Sequence, residues 1–308
     1  MPPVIVCPQN IEAVARDDEL PEVFFAATAH SGTPPTTITC TPASGTEFPV
    51  GSTTVTCVAR DSRGLSATCS FRVTVERAAA PRLIPETFVA FGDSLTQGTT
   101  SPDPTTLRIN PPDSYPFKLQ RLLSERYADQ EITVHNEGLA GETIIPALGR
   151  LSNVLDAHQP DVLLLLHGAN NLLAAGRRGD ATEAIPRIVN GLRDMIRLAH
   201  ARDVEVLLAT FPPQDEDGSR GAGAPGVEPL NEAIAELAAD EDAVLVDLFD
   251  GLGGSPAGSI GVDGLHPTAS GYTQIAQIWF EAIQREYEVT ETMTPALRNG
   301  SRRVSRTR

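Results

Sequence analysis

Apolar residues in the first quarter of the chain occur in short runs typical of β-strands. These runs are rich in Val, Ile, Thr and Phe, and clusters of Pro, Gly, Ser and Asp separate them. The segment TTVTCVARDSRGLSATCSFRVTV predicts a β-hairpin that turns around Asp61–Gly64. Residues 1–77 are therefore predicted to form a small all-β domain.

After an Ala- and Pro-rich linker at 78–85, apolar strands alternate with helical segments. Strands are predicted at 87–91, 131–136, 161–168, 204–211 and 242–249. Helices are predicted at 115–127, 143–157, 182–201, 228–240 and 269–287. This alternation predicts an α/β domain at 86–290, in which helices cover both faces of a five-stranded parallel sheet.

Charge and length exclude some classes of partner. The 308 residues carry a net charge of −16, and residues 81–293 hold 32 acidic against 14 basic residues, so no nucleic-acid partner is expected. The longest apolar run, VLLLL at 162–166, is too short to span a membrane. The arginine-rich segment at 291–308 is predicted to be a disordered basic tail.

All four cysteines lie in the first 70 residues, at Cys7, Cys40, Cys57 and Cys69. An even number in one small segment predicts two disulfides and an oxidising compartment, with the pairing left open. A zinc site is the alternative, although no Cys pair has the usual short spacing. Since the N-terminus lacks the pattern of a signal peptide, the protein is either cytosolic or has lost an export signal.

The motifs VIVCP, SGTEFPVGSTTVTC and ATCSFRVTV resemble a hyalin repeat (HYR) domain over nearly all of residues 2–76. The resemblance implies an immunoglobulin-like β-sandwich that is extracellular or on the cell surface and serves adhesion rather than catalysis. Two roles stay open for it, a contact with a surface or polysaccharide and a simple spacer.

The loops after the predicted strands carry the candidate chemistry, because ligands bind beyond the carboxyl ends of parallel strands. The first loop, GDSLTQG, presents Ser94, with Asp93 as a turn and cap residue. A serine hydroxyl needs a base to become a nucleophile. Of the six histidines, His266 is the candidate, since it lies in a loop before the last helix and Asp263 precedes it by three residues.

Two further loops offer donors for an oxyanion. Gly141, in GLAGET, can bring its main-chain N–H close to a substrate, and Asn170, in GANN, offers a neutral side-chain amide. The N–H of Ser94 is the third candidate. Each of these residues also has an ordinary structural explanation, as a turn or cap residue.

FGDSLTQG, NEGLAGET, HGANN and DGLHPTASGY resemble the first, second, third and fifth blocks of the SGNH (GDSL-type) hydrolases over residues 86–287. The resemblance implies a flavodoxin-like three-layer α/β/α sandwich. It also implies an enzyme that uses no cofactor or metal. By this resemblance, Ser94, His266 and Asp263 form a catalytic triad. The oxyanion hole is formed by Ser94, Gly141 and Asn170. The chain departs from the family at Asn171, where many members have Asp.

The leading functional prediction is a carboxylic ester hydrolase. Long polar loops at 99–116 and 212–226 are expected to shape the pocket, and loops of that length often act as lids. Their polarity favours short acyl groups, such as O-acetyl on carbohydrate. A lysophospholipase or thioesterase of the same family is the nearest alternative. A catalytically silent adhesion protein and a metallohydrolase built on Asp93, Asp263 and His266 are the others.

Overall fold

The computed structural model describes residues 1–16 and 19–289. These residues form two compact units, Met1–Ala80 and Pro81–Val289. The domain limits at 77, 85 and 290 stay predictions, and the basic tail at 291–308 lies outside the described residues.

The first unit is built from short β-strands. In chain order they are β1 Val4–Val6, β2 Ile11–Ala15, β3 Glu22–Val23, β4 Thr28–His30, β5 Thr37–Thr41, β6 Thr46–Glu47, β7 Gly51–Arg60 and β8 Ser66–Arg77. A four-stranded sheet has the order β2-β8-β7-β5, and β1 pairs with β4 and β3 with β6. β7 and β8 run antiparallel around Asp61–Gly64, which confirms the predicted hairpin. The immunoglobulin-like topology stays a prediction.

Along β7, buried side chains alternate with exposed ones, and the buried ones form part of the core of this unit. Val55, Cys57 and Ala59 are fully buried, whereas the residues between them are exposed. The cysteines form two disulfides, Cys7 with Cys69 and Cys40 with Cys57, the latter two facing each other across β5 and β7. The alternative of a zinc site is therefore wrong, because each sulfur is bonded to another.

The second unit contains a parallel sheet. Its elements are β9 Arg82–Leu83, β10 Thr87–Gly92, β11 Thr99–Thr100, β12 Arg108–Ile109, β13 Thr133–Gly138, β14 Val162–Leu166, β15 Glu205–Ala209, β16 Val244–Val246 and β17 Glu288–Val289. The helices are α1 Ser94–Gln97, α2 Tyr115–Arg126, α3 Ile144–His158, α4 Ala169–Gly176, α5 Ile185–His200, α6 Val227–Asp240, α7 Leu248–Gly251 and α8 Ala269–Tyr287.

The five parallel strands have the order β13-β10-β14-β15-β16, as the flavodoxin-like prediction requires. The chain leaves β10 toward β13 and then crosses back to β14 on the other side of β10. Right-handed crossovers in opposite directions place α2 and α3 on opposite faces, where α2 packs against α8 and α3 against α5. The end of β10 is thus the switch point, where open α/β sheets bind ligands.

The predicted strands and long helices match these elements, but sequence reasoning missed α4 and the β11–β12 hairpin. α4 has eight residues and the hairpin strands two each, so neither is long enough to show a period. Within residues 1–16 and 19–289, no helix is long and apolar enough to cross a membrane.

Candidate active site

Ser94 lies at the tight turn where β10 gives way to α1. A Cβ on Gly92 would collide with the Leu166 carbonyl and the Thr96 hydroxyl, so only glycine fits at the end of the strand. Asp93 caps α1 by accepting a hydrogen bond from Leu95 N at 3.1 Å. The turn therefore fixes Ser94 at the carboxyl edge of the sheet, with 4% of the residue exposed.

His266 and Asp263 meet Ser94 at this edge. His266 Nε2 lies 2.9 Å from Ser94 Oγ, and His266 Nδ1 lies 2.6 Å from Asp263 Oδ2. The second Asp263 oxygen accepts from the main-chain N–H groups of Leu265 and His266. Burial alone would raise the pKa of Asp263, but these hydrogen bonds hold it below its usual value. The carboxylate is therefore ionised at neutral pH and orients the imidazole.

The segment 212–226, predicted to shape the pocket, is hydrogen-bonded to the loop that carries Asp263 and His266. Asp215 N donates to Gly264 O at 2.9 Å, and Arg220 N donates to Asp263 O at 2.7 Å. A Cβ on Gly218 would collide with the main chain of Asp263, so the two loops approach as closely as backbones can. The 212–226 loop therefore packs against the Asp263–His266 loop and stabilises it.

The three candidate oxyanion donors have free hydrogens. Among the described residues, the N–H groups of Ser94 and Gly141 have no hydrogen-bond acceptor. Asn170 Nδ2 donates to Glu142 O at 2.9 Å, which uses one of its two hydrogens and leaves the other for a ligand. Gly141 has a φ of +81°, a conformation that favours glycine.

Asp93 and Asn171 tie neighbouring loops to this site. Besides capping α1, Asp93 accepts a hydrogen bond from Ala169 N at 3.1 Å, which joins the Ser94 turn to the Asn170 loop. Asn171 Oδ1 accepts from Ile144 N at 2.9 Å, at the first residue of α3. Compared with an Asp, Asn171 thus keeps an oxygen that accepts this hydrogen bond and lacks only the negative charge.

Sequence reasoning did not assign a role in the site to Glu142, Arg150 or His167. Glu142 is buried, and its carboxylate contacts the Arg150 guanidinium and the His167 ring. Burial would raise the pKa of Glu142, but these hydrogen bonds lower it to about 2. The sequence carries no periodic signal for the cluster, because its members are spread over a span of 25 residues, in a loop, a helix and the segment after a strand.

The alternative metal ligands Asp93, Asp263 and His266 do not form a metal site. In the part of the chain that the structure describes, no group of three or more His, Cys, Asp or Glu side chains could hold a metal ion. Asp93 is bonded to main-chain N–H groups, and Asp263 to His266.

Similar proteins fall into one class of hydrolase. An arylesterase from Vibrio mimicus is 30% identical over 128 residues, which are 42% of this chain and 56% of that protein. The match thus spans about half the length of that relative. A lipase/acylhydrolase from Enterococcus faecalis has a similar fold, with 22% identity, a TM-score of 0.54 and coverage of 66% of this chain and 97% of that one. An acetylxylan esterase from Geobacillus stearothermophilus is similar at 19% identity and a TM-score of 0.52, covering 64% and 94%.

Family profiles match both units. Residues 1–75 match the HYR domain, which confirms the resemblance of the first unit, and residues 90–274 match the GDSL-like lipase/acylhydrolase family. The second match spans more than half of the chain and contains Ser94, Gly141, Asn170, Asp263 and His266. The chain is therefore a member of the GDSL-like lipase/acylhydrolase family, a class of carboxylic ester hydrolases, with an N-terminal HYR domain.

Proposed function

We propose that the second unit is a serine esterase in which Ser94 is the nucleophile, His266 the base and Asp263 its orienting carboxylate. One observation carries the proposal: the continuous relay of 2.9 Å from Ser94 Oγ to His266 Nε2 and 2.6 Å from His266 Nδ1 to Asp263. Such a relay makes a hydroxyl nucleophilic at neutral pH.

In the first half of the reaction, Ser94 Oγ attacks the ester carbonyl carbon while His266 Nε2 takes its proton. The carbonyl oxygen becomes an oxyanion, which the N–H groups of Ser94 and Gly141 and the side-chain amide of Asn170 stabilise. When the intermediate collapses, the alcohol leaves with the proton from His266, and the acyl group stays on Ser94. Water then repeats the sequence, with His266 as base, and releases the carboxylic acid.

The polar loops support a short acyl group on a hydrophilic alcohol, such as an acetylated carbohydrate. In the first loop Asp103 is half-buried and Thr105 and Thr106 are exposed, beside two exposed apolar residues, Leu107 and Ile109. Ser219 of the second loop donates to Pro104 O at 2.8 Å. Polar and partly exposed walls suit a hydrophilic alcohol better than a long alkyl chain. The HYR domain is proposed to supply the contact with a polysaccharide or surface.

A lipophilic ester or thioester is the second candidate, and one observation favours it. Leu139, Ile145 and Val262 are 45%, 58% and 56% exposed, although they are apolar. In the sequence, Leu139 and Ile145 lie on either side of Gly141, and Val262 directly precedes Asp263. Exposed apolar side chains around a site typically bind an apolar ligand. A panel of nitrophenyl esters from acetate to palmitate, run beside acetylated xylan and a lysophospholipid, separates the two candidates by their kcat/KM.

The Ser94→Ala variant tests the esterase itself. Turnover of a nitrophenyl acetate should fall by more than about 10⁴-fold, because only binding and the oxyanion donors remain. Ser124→Ala, which removes an exposed hydroxyl from α2, is the matched control and should keep wild-type activity. A fluorophosphonate probe should label wild-type protein and the control but not Ser94→Ala. Full turnover in Ser94→Ala would mean that another group is the nucleophile. A wild-type protein with no turnover and no labelling would leave the adhesion alternative.

A further inference from the structure

We propose that Glu142 is the positioning residue of the oxyanion hole, holding the donors Gly141 and Asn170 in register through both its main chain and its side chain. The inference rests on the proposed esterase function, since it assigns a role to that same site. Glu142 does not contact the reacting atoms, so its effect would be exerted through its two neighbours.

The main chain of Glu142 joins the two donor loops. Its carbonyl accepts the hydrogen bond from Asn170 Nδ2 at 2.9 Å, and its peptide bond follows Gly141 directly. This contact orients the Asn170 amide, because the hydrogen that does not reach Glu142 must point away from it. Any displacement of Glu142 therefore moves both donors together.

Gly141 itself has little that could hold it. It is exposed, and a Cβ built there would meet nothing within 4 Å. A glycine with a positive φ and no packing is flexible unless its neighbours are fixed. Of its two neighbours, Ala140 is exposed and donates to Gln97 Oε1 at 3.2 Å, whereas Glu142 is buried, so Glu142 is the neighbour that packing fixes.

The Glu142 carboxylate is anchored from two directions. Arg150 donates from Nε at 3.0 Å and from Nη2 at 2.8 Å, and the His167 ring nitrogen lies 3.2 Å away. Its side chain is 5% exposed and that of His167 is fully buried. Charge-assisted, bidentate hydrogen bonds in such surroundings are strong and fix geometry.

Arg150 is in turn attached to the sheet beneath the site. Its Nη2 donates to Glu137 O at 3.0 Å, in β13, and its guanidinium carbon lies 4.2 Å from the ring centre of Phe91. Phe91 belongs to β10, three residues before Ser94. The network therefore links the Gly141 turn, through Glu142 and Arg150, to the two strands β13 and β10, the second of which leads into Ser94.

The test compares Glu142→Gln, Asn170→Ala and the double variant in the full chain. Glu142→Gln removes the charge that holds Arg150 and His167 while keeping the size of the side chain. On a nitrophenyl acetate, kcat should fall on the order of tenfold with KM within about twofold, the sign of an interaction made only in the transition state. Asn170→Ala should cost about 10² to 10³ in kcat. The double variant should lose far less than the product of the two losses, because both act on one hole.

Arg126→Met is the matched control, since it breaks a bidentate ion pair with Glu288, of 2.6 and 2.9 Å, on other elements of the same unit. It should keep kcat in both the wild-type and Asn170→Ala backgrounds. Normal kcat in Glu142→Gln, or losses that multiply fully with Asn170→Ala, would overturn the inference alone. If Glu142→Gln does not fold, Arg150→Lys is judged by the same criteria. Failure of the wild-type protein to show Ser94-dependent turnover would instead overturn the proposed function.

Discussion

The two units of this chain reach a fixed structure by different physical means. Met1–Ala80 has a small core around Phe48 and Phe71 and contains both disulfides. Pro81–Val289 has no cysteine and buries a continuous apolar core on both faces of its sheet. Since small domains bury a smaller share of their surface, cross-links stabilise the first unit where apolar burial suffices for the second.

The difference also shows what a catalytic site requires of its scaffold. In the second unit, short polar loops project from one edge of a buried sheet, and hydrogen bonds join each loop to the next. Asp93 connects the Ser94 turn to Ala169, and Glu142 connects Gly141 to Asn170. A large core supports such a site because it fixes the ends of every loop, so the loops themselves can stay polar.

Asp263→Asn should cause a large loss of activity that is confined to the second unit. The amide can still accept from the main-chain N–H groups of Leu265 and His266. It cannot stabilise the imidazolium or enforce the tautomer of His266, so kcat should fall by about 10⁴-fold. Steady-state kinetics on a nitrophenyl acetate measure the loss. A fall of less than tenfold, with the protein folded, would show that another group orients His266.

Loss of a disulfide should affect the first unit only. Removing the Cys40–Cys57 bond, which closes a loop with a sequence separation of 17, should lower the free energy of unfolding of that unit by about 3 kcal/mol. A Cys40→Ala, Cys57→Ala double variant in the full chain tests this by calorimetry and by protease sensitivity within residues 1–77. Esterase activity should stay within about twofold of wild type. A large loss of activity would mean that the stability of the first unit affects catalysis in the second.

The sequence was sufficient for the features that depend on local pattern. The apolar runs located the five parallel strands, and the loops that follow them contained Ser94, Asp263 and His266, which the structure brings together. This was possible because the carboxyl ends of parallel strands lie at one edge of the sheet. Residues that follow different strands are therefore expected to lie close together in space.

What the sequence did not reveal depends on contacts between distant elements. Glu142, Arg150 and His167 lie in a loop, a helix and a strand end, and a single sequence does not record which charged residues meet. The loop at 212–226 was expected to shape the pocket because it is long and polar, but its hydrogen bonds to the Asp263–His266 loop could not be foreseen. Its close approach to Asp263 depends on Gly218, whose missing side chain is visible as a requirement only in three dimensions.

Asn171→Asp should cause the smallest change, a gain in stability limited to the second unit. Asn171 Oδ1 accepts the hydrogen bond from Ile144 N at the start of α3, and a carboxylate would keep that bond while adding a negative charge at the positive end of the helix. The charge should stabilise the unit by about 0.3 to 1 kcal/mol. Calorimetry should show a higher unfolding temperature for the second unit. Because that unit has no cysteine, its unfolding transition is the one that a reductant leaves unchanged. The kcat of the variant should stay within about twofold of the wild-type value. A downward shift would mean that the acidic surroundings outweigh the helix dipole, which would account for an uncharged residue at position 171.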